Sequence, residues 1–363
     1  TNKLFPVECG GAEKYIWDFA KILSEIGYEV HLLTPSTDKN IPNVENVYFH
    51  FIPAKLTHWG KRFSYLSKGF STYKNLIKDY SFDLIIDNAS PIPFYPIYSI
   101  KSNVEIVTIV HAIFDTNVFK FKDGFLTKIA TYFAEKTLKF LNNKEYITVS
   151  NSTKEELSKL IKNKKIKIVE NSFNPDVFNY EFNDDGDFLL CLTRLSNRKG
   201  VKYLLYAWKE LDIDYKLKIA GKGPQMEKLK KIKNNLDLND VEFLGYVSKK
   251  DKLNLLNNAK LYILPTLGEG FGISNLEAMA AGTPVISTNT WGVKDYINDG
   301  ENGFLAEPEN ANSLAGKIET ALSDEDLRKE ISIKGRKTAE QYSLENTKNQ
   351  VTNYIDEFFG DQK

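Results

Sequence analysis

Apolar positions in the first half of the chain alternate between a helical spacing and short continuous runs. Gly27 predicts the end of a helix whose apolar stripe is Ala12, Tyr15, Ile16, Phe19, Ala20, Leu23 and Ile26. The continuous runs predict six buried strands at residues 29–33, 47–51, 83–87, 105–110, 146–150 and 166–170. Helical stretches between most of these runs are typical of a parallel sheet that is covered on both faces.

The second half of the chain repeats this plan. Six more buried strands are predicted at residues 188–192, 216–220, 241–245, 261–265, 284–287 and 303–306. A polar stretch with proline and glycine at 171–187 predicts a linker between the halves. We therefore expect an α/β protein with two doubly wound, Rossmann-like domains facing a central cleft. The expected bounds are 1–170 and 171–340, and a C-terminal helix at 341–363 is expected to return to the first domain.

Charge and cysteine content narrow the class of protein. The 363 residues carry 48 Lys+Arg and 48 Asp+Glu, so a general nucleic-acid-binding protein is not indicated. Residues 1–170 hold 23 basic and 18 acidic side chains, a net of +5, and the remainder carries −5. Cys9 and Cys191 give neither a disulfide framework nor a metal cluster, which favours a reducing compartment and two small buried residues. With no signal peptide or membrane-length apolar run in this sequence, we expect a cytoplasmic protein.

The stretch "GEGFGISNLEAMAAGTPVIS" (268–287) combines a glycine-rich loop with two carboxylates, Glu269 and Glu277. The loop follows a predicted strand and precedes a helix that is predicted to start near Ser274, and a helix N-terminus is a natural phosphate site. The alternative is structural, because Ser274 and Glu277 have the spacing of a capping box that closes the helix end. Both interpretations stay open from these residues alone.

A second loop carries two cations. Arg194 and Lys199 follow the strand at 188–192 and suit a diphosphate, Arg as a fork and Lys as a point charge. Basic residues in a loop are more often simply solvated, so this feature alone does not decide. Gly221 and Gly223 raise a dinucleotide site as a rival, but Met226 stands where the third glycine of that fingerprint belongs.

Several segments in a fixed order resemble retaining glycosyltransferases of the GT-B fold, glycosyltransferase family 4. In the second half they are "TRLSNRKG", "IAGKGPQMEKL", "VEFLGYV" and "LGEGFGISNLEAMAAGTPVIS". In the first half they are "GGAEKYIWDFAKILSEIGYEVHLLT", "IVTIVHAIFD" and "YITVSNSTKEEL". The resemblance spans nearly the whole chain. It implies an acceptor-binding first domain and a nucleotide-sugar-binding second domain.

The resemblance also implies roles for individual residues. Arg194 and Lys199 match the pair that grips the donor diphosphate. Glu277 matches the acid that accepts hydrogen bonds from the ribose, and Glu269 matches the acid that faces the donor sugar. The other donor-binding positions implied are Gly10, Gly11, Tyr246, Val247, Gly270, Phe271, Gly272, Ile273 and Ser274.

His111 matches the histidine beside the reacting sugar, although a lone histidine after an apolar strand is more often structural. Catalytic roles are thus expected for His111, Glu269, Arg194 and Lys199. The sequence departs from the family at Thr193, where glycine is common, and in its linker. The family also has an apolar strand just upstream of the position that is Thr1 here.

The expected reaction moves a sugar from a nucleotide-diphosphate donor to a hydroxyl of a glycan or lipid-linked acceptor, with no cofactor and no metal. No evident carboxylate serves as a nucleophile, which favours same-face substitution assisted by the leaving phosphate. A sugar-nucleotide epimerase or a phosphorylase of the same fold, or a non-catalytic nucleotide-binding subunit, remain alternatives.

Residues 55–78 hold six Lys or Arg, no acid and five interleaved aromatic residues. This composition predicts contact with an anionic membrane surface, so that the protein would be peripheral on the inner face of the membrane. A solvated basic face over ordinary core aromatics explains the pattern equally well.

Overall fold

The computed structural model describes residues 11–35, 41–52, 62–89, 104–113 and 145–360. The chain divides into two compact units. Of the described residues, unit 1 takes those up to Ile113, residues 145–172 and residues 344–360, and unit 2 takes Phe173–Ser343. Both units are α/β, with parallel pairing throughout their described sheets.

Unit 1 contains a two-stranded and a four-stranded sheet. The first pairs β1 (Val30–Pro35) with β2 (Val47–Ile52). The second has the order β3 (Leu84–Ala89), β4 (Glu105–Val110), β5 (Glu145–Thr148) and β6 (Lys165–Ile168). Its described helices before the linker are α1 (Gly11–Glu25), α2 (Arg62–Asp79) and α3 (Asn151–Leu160). A cavity of about 410 Å³ separates the β1 region from β3 and is walled by α1 and the C-terminal helix.

The apolar stripe of α1 packs into the core of unit 1. Tyr15, Phe19 and Ile22 are buried against Val107 and Ile109 of β4. The helix ends at Glu25, and Gly27 takes φ +99°, a conformation that favours glycine and stops the helix. The predicted helix and its stop are confirmed.

Unit 2 contains one six-stranded sheet. Its strands are β7 (Phe188–Leu192), β8 (Lys216–Ala220), β9 (Val241–Gly245), β10 (Leu261–Leu264), β11 (Val285–Thr288) and β12 (Phe304–Ala306). Its α-helices are α4 (Val201–Glu210), α5 (Met226–Asn235), α6 (Lys249–Asn258), α7 (Ile273–Ala281), α8 (Ala311–Ser323) and α9 (Glu325–Gln341). Two 3₁₀ turns occupy Pro175–Val177 and Asn197–Lys199.

The strand order β12-β11-β10-β7-β8-β9 fixes where a ligand can bind unit 2. The chain starts in the middle at β7, winds outward to β9, and returns to lay β10 on the other side of β7. This is the doubly wound order, and its ligands bind at the carboxyl ends of the two strands where the winding reverses. The loops after β7 and β10 are therefore the expected binding loops.

Both faces of this sheet are buried, as the continuous apolar runs predicted. Along β7, Leu189 and Cys191 pack toward one layer of helices, whereas Phe188 and Leu190 pack toward the other. Burial raises the pKa of the Cys191 thiol to about 12, so this cysteine is an inert core residue. All twelve strands predicted from the apolar runs are present, with end points shifted by no more than two residues.

The last helix, α10 (Leu344–Gly360), belongs to unit 1 although α9 just before it belongs to unit 2. Val351, Tyr354, Ile355 and Phe358 are buried in the core of unit 1. The Tyr354 hydroxyl donates to Glu145 Oε2 at 3.1 Å. Among the described residues no helix is both long enough and apolar enough to span a membrane.

Candidate active site

The loops after β7 and β10 meet at the reversal point of the unit 2 sheet. β7 and β10 are paired in parallel, with Leu189 opposite Leu261, so both loops leave the same edge. The Leu267 N–H donates to the Arg198 carbonyl at 2.8 Å, which couples the two loops directly. The sheet thus brings together two segments that are about 70 residues apart in sequence.

Gly200 makes this close approach possible. Its φ is +63°, in the left-handed region, and a Cβ at this position would lie 1.9 Å from the Pro265 carbonyl oxygen. Only glycine fits both the conformation and the space. Gly200 also ends the 3₁₀ turn and precedes α4, so the N-terminus of α4 opens at the site.

An ion pair joins the two loops. Lys199 Nζ contacts Glu269 Oε2, and Arg198 lies 3.5 Å from Glu269 Oε1 while donating to the Gly268 carbonyl at 2.9 Å. The side chains of Lys199 and Glu269 are only 12% and 13% exposed. Burial alone would raise the pKa of Glu269, but Lys199 and Arg198 outweigh it and lower the pKa to about 2. Glu269 is therefore an ionised, rigidly held carboxylate at neutral pH.

Arg194 differs from Lys199, although the sequence placed both in one basic pair. The side chain of Arg194 is exposed, and within the described part of the chain its guanidinium forms no ion pair. The structure therefore brings Lys199 together with Glu269 and leaves Arg194 available to an incoming anion. Arg198, which sequence reasoning passed over, supplies a third cation to this edge.

Helix α7 begins at Ile273 with Gly272 as its N-cap, and Gly272 takes φ +88° without any side-chain cap. The alternative that Ser274 and Glu277 form a capping box is therefore wrong. Ser274 lies inside the first turn of the helix and not at its N-cap. A Cβ on Gly272 would lie 2.8 Å from the Tyr296 hydroxyl, which itself donates to the Gly272 carbonyl.

The glycine-rich loop before α7 offers a ligand backbone atoms more than side chains. Phe271 is buried, with its ring centroid 5.6 Å from that of Tyr296 and 5.1 Å from that of Tyr342. This anchor fixes the chain through Gly270, Gly272 and Ile273 at the start of α7. Because its phenyl ring is buried, Phe271 can take the expected donor-binding role only through its backbone.

Glu277 is held separately from Glu269. Lys252 of α6 donates from Nζ to Glu277 Oε1 at 2.6 Å, and these side chains are 24% and 18% exposed. The two carboxylates of the glycine-rich stretch are thus each neutralised by a lysine from another connection of the sheet.

Tyr246 follows β9 at the same edge and is 74% exposed, with Lys222 Nζ 6.0 Å from its ring centroid. Val247 beside it is partly buried against the core. Gly221 and Gly223 have a structural explanation, since a Cβ on either would lie about 2 Å from a carbonyl oxygen of the loop after β7. The two glycines therefore serve loop packing, which removes the support for a dinucleotide fingerprint.

His111 lies just beyond the carboxyl end of β4 in unit 1. Its Nε2 is 2.8 Å from Asn88 Oδ1, and since that oxygen can only accept, Nε2 carries the proton. The ring of Tyr15 stands edge-on at 5.2 Å. Burial lowers the pKa of His111 to about 4, so the imidazole is neutral at pH 7 with Nδ1 as an acceptor. Gly11 is the exposed first residue of α1, and Gly10 lies outside the described residues.

The ranges that the structure describes contain no group of three or more His, Cys, Asp or Glu side chains that could hold a metal ion. Elsewhere in unit 1, His31 Nδ1 lies 2.8 Å from His50 Nε2, His31 Nε2 lies 2.7 Å from Glu29 Oε1, and the His31 ring packs against Tyr80.

Two family models match the chain. Residues 9–177 match the model described as Glycosyltransferase Family 4, and residues 172–338 match that described as Glycosyl transferases group 1. An uncharacterized glycosyltransferase of Methanocaldococcus jannaschii is 29% identical over 347 residues, covering 93% of this chain and 91% of that protein.

Two solved structures share the fold. The sucrose-phosphate synthase of Thermosynechococcus elongatus superposes with a TM-score of 0.84 at 21% identity, covering 97% of this chain and 94% of that one. Anabaena HepE in complex with UDP and glucose gives a TM-score of 0.77 at 19% identity, covering 96% and 97%. These neighbours have the GT-B fold, as expected from the sequence.

Two residues of the site were not found from the sequence. Arg198 is adjacent to Lys199, and as one of the three cations in "TRLSNRKG" it could have been identified from the sequence. Lys252 is one of three lysines in "SKKDK", and nothing in that pattern distinguishes it. Only the packing of α6 beside α7 selects it.

Proposed function

Because the chain belongs to the glycosyltransferases of family 4, group 1, we propose that it is a retaining enzyme that uses a nucleotide-diphosphate sugar. It transfers the sugar to a hydroxyl of a glycan or lipid-linked acceptor. HepE, which shares the fold, was crystallised with UDP and glucose, which supports a donor of this class.

One observation carries the proposal: Arg194 is exposed and forms no ion pair within the described residues, on the same loop as Lys199, which is paired with the nearly buried Glu269. A diphosphate at the carboxyl end of β7 would meet the Arg194 guanidinium, Lys199 and the N-terminus of α4. These groups stabilise the charge that develops on the leaving diphosphate, and no metal or other cofactor is needed in this proposal.

Glu269 orients the donor sugar through its hydroxyls in the proposed reaction. A carboxylate with a pKa of about 2, already bound by Lys199 and Arg198, is a weak nucleophile and a good fixed acceptor. We therefore assign same-face substitution, in which the bond from the anomeric carbon to phosphate breaks as the acceptor oxygen approaches from that face. The leaving phosphate oxygen takes the acceptor proton. Because the new bond forms on the face from which the phosphate leaves, the anomeric configuration is retained.

The remaining residues complete the proposed donor site. Glu277 accepts hydrogen bonds from ribose hydroxyls, and Tyr246 with Val247 borders the base. For the neutral His111 of unit 1 we keep the expected role, in which Nδ1 accepts a hydrogen bond from the reacting sugar, and for Gly10 and Gly11 we keep the expected role in donor binding.

The test is a screen of UDP-, GDP- and other nucleotide sugars by thermal stabilisation and calorimetry. The expected result is a rise in Tm with one nucleotide class, followed by transfer to an added acceptor. Product NMR should show the anomeric configuration of the donor. An inverted product would contradict the retaining mechanism.

The same screen separates the other functions. Epimerised donor without transfer would indicate a sugar-nucleotide epimerase, and transfer to inorganic phosphate would indicate a phosphorylase. Binding without any turnover, across a broad acceptor panel, would indicate a nucleotide-binding subunit.

We also propose that α2 contacts an anionic membrane surface. Lys68, Lys74 and Lys78 are exposed on this helix, and its sequence has no acid before Asp79. Each cation near such a surface contributes roughly 1 kcal/mol. Residues 55–61 of the predicted segment lie outside the described residues.

Sedimentation with vesicles tests the membrane contact. The protein should co-sediment with anionic vesicles at low salt and not with neutral ones. Changing Lys68, Lys74 and Lys78 to Ser should release it, whereas changing the exposed Lys228, Lys230 and Lys231 of α5 to Ser should not. If both triple variants were released equally, vesicle binding would depend on net charge and not on α2, which would contradict the proposal.

A further inference from the structure

The Lys252–Glu277 pair connects two helices at the edge of the candidate site. Glu277 lies on α7, and its Oε1 accepts from Lys252 Nζ of α6 at 2.6 Å. Within the described residues, Glu277 Oε2 has no hydrogen-bond donor. One oxygen of this carboxylate is therefore fixed and the other is left open.

Stability alone does not explain this pair. α6 packs on unit 2 through Leu256, which is buried in the same core as Leu276 of α7. The N-terminus of α7 is formed by Gly272 without any side-chain cap, so Glu277 has no capping duty. Ion pairs that remain partly exposed contribute little to folding.

A link to ligand binding explains it better. α6 begins directly after Tyr246 and Val247, with Ser248 as its N-cap, so Lys252 lies in the first turn of a helix that starts at the loop after β9. A free glutamate samples several rotamers, and a ligand that uses it must order it. Lys252 removes that cost beforehand, and its charge offsets the repulsion between Glu277 and an anionic nucleotide.

We infer that Lys252 is a positioning residue that holds Glu277 Oε1 and leaves Oε2 to accept a hydroxyl of the bound nucleotide. The inference rests on the proposed function, because it takes Glu277 as the acceptor for the ribose. It assigns to α6 a part in donor recognition that neither the sequence pattern nor the loop geometry assigns.

The experiment compares Lys252→Met with Lys317→Met. Lys317 forms a pair of the same length, 2.6 Å to Asp299, on α8 of the same unit. For Lys252→Met we expect the KM for the donor, and the Kd of UDP or GDP, to rise about tenfold with kcat within about twofold. Lys317→Met should leave all three unchanged, and both variants should keep the wild-type Tm within about 2 °C.

Two further arms separate positioning from a structural role. Lys252→Arg should restore most of the affinity, because it keeps a donor to Oε1. Removing the ribose hydroxyls, with a 2′,3′-dideoxy nucleotide diphosphate, should cost wild type more affinity than it costs Lys252→Met. If Lys252 had only a structural role, Lys252→Met would have a lower Tm, and removing the ribose hydroxyls would cost wild type and the variant the same affinity.

The outcomes distinguish the two proposals. If Lys252→Met has the same Kd and KM as wild type, the inference is overturned and the proposed function stands. A wild-type protein that binds neither nucleotide diphosphate nor nucleotide sugar overturns the proposed function, and the inference with it.

Discussion

The basic side chains at the reversal point of the unit 2 sheet differ in whether they are already paired with a carboxylate. Lys199 and Arg198 are committed to Glu269, whereas Arg194 is exposed. A guanidinium that has no competing carboxylate gains the full charge-assisted interaction with a phosphate. Arg194 should therefore matter most for the affinity of a nucleotide diphosphate.

Arg194→Ala should weaken the binding of the nucleotide diphosphate by roughly tenfold or more, the loss of about 1.5–3 kcal/mol from one charged hydrogen bond. Calorimetry measures the change. Lys209→Ala, an exposed lysine in the last turn of α4, is the control and should bind as wild type. Unchanged affinity in a folded Arg194→Ala would remove the diphosphate assignment.

Substitutions of Glu269 and Glu277 should change different kinetic constants. Glu269→Gln breaks a nearly buried ion pair and removes the acceptor for the donor sugar, so kcat should fall at least tenfold. Glu277→Gln keeps an amide oxygen for Lys252 and should mainly raise the KM for the donor. Steady-state kinetics distinguish the two, and a loss of Tm in Glu277→Gln without a kinetic change would contradict the assignment.

His111 should make stability depend on pH. Its folded pKa is about 4 against an ordinary value of 6.5, so between these limits the unfolded chain binds the proton and the folded chain does not. Stability should therefore fall as pH decreases from about 6.5 to 4. His111→Gln keeps a donor for Asn88 and cannot titrate, so its Tm should fall less between pH 7 and pH 5. An equal fall in both proteins would show that His111 is not the source.

At the scale of elements, the junction between β7, β10 and their loops depends on backbone contact. Gly200→Ala places a Cβ 1.9 Å from the Pro265 carbonyl in a left-handed conformation. We expect unit 2 to lose several °C in Tm and nucleotide binding to be lost, because the loops must move apart. Gly316→Ala is the matched change, since this helical glycine has nothing within 4 Å, and it should raise stability by up to about 1 kcal/mol. Similar thermal scans for both variants would contradict the close-approach argument.

At the scale of the whole molecule, unit 1 is built from chain segments that lie before and after unit 2 in the sequence. Helix α10 follows unit 2 in sequence but is buried in unit 1, where Lys348 pairs with Glu25 and Lys167 with Glu357. Truncation after Ser343 should therefore unfold unit 1 and spare unit 2. Hydrogen exchange should show lost protection in β4 and β5 while β7 and β10 stay protected. Unchanged exchange in unit 1 would mean that α10 is dispensable.

The sequence by itself determined the elements. Strand positions were predictable because strands buried on both faces must be continuously apolar, and β7 and β10 obey this rule. Helix α1 was predictable from its apolar stripe and from Gly27, because both are features of the local sequence. The family and the loops that carry its motifs could also be assigned from their order along the chain.

The tertiary structure alone decided which side chains meet. The capping-box alternative for Ser274 and Glu277 fitted the sequence spacing, but the helix has Gly272 as its N-cap, two residues before Ser274. Arg198 reaches Glu269, and Lys252 reaches Glu277, across 71 and 25 residues of chain. Such contacts depend on strand order and helix packing, which local periodicity does not encode. That is why the sequence located the site, and only the fold showed which of its charges are already paired.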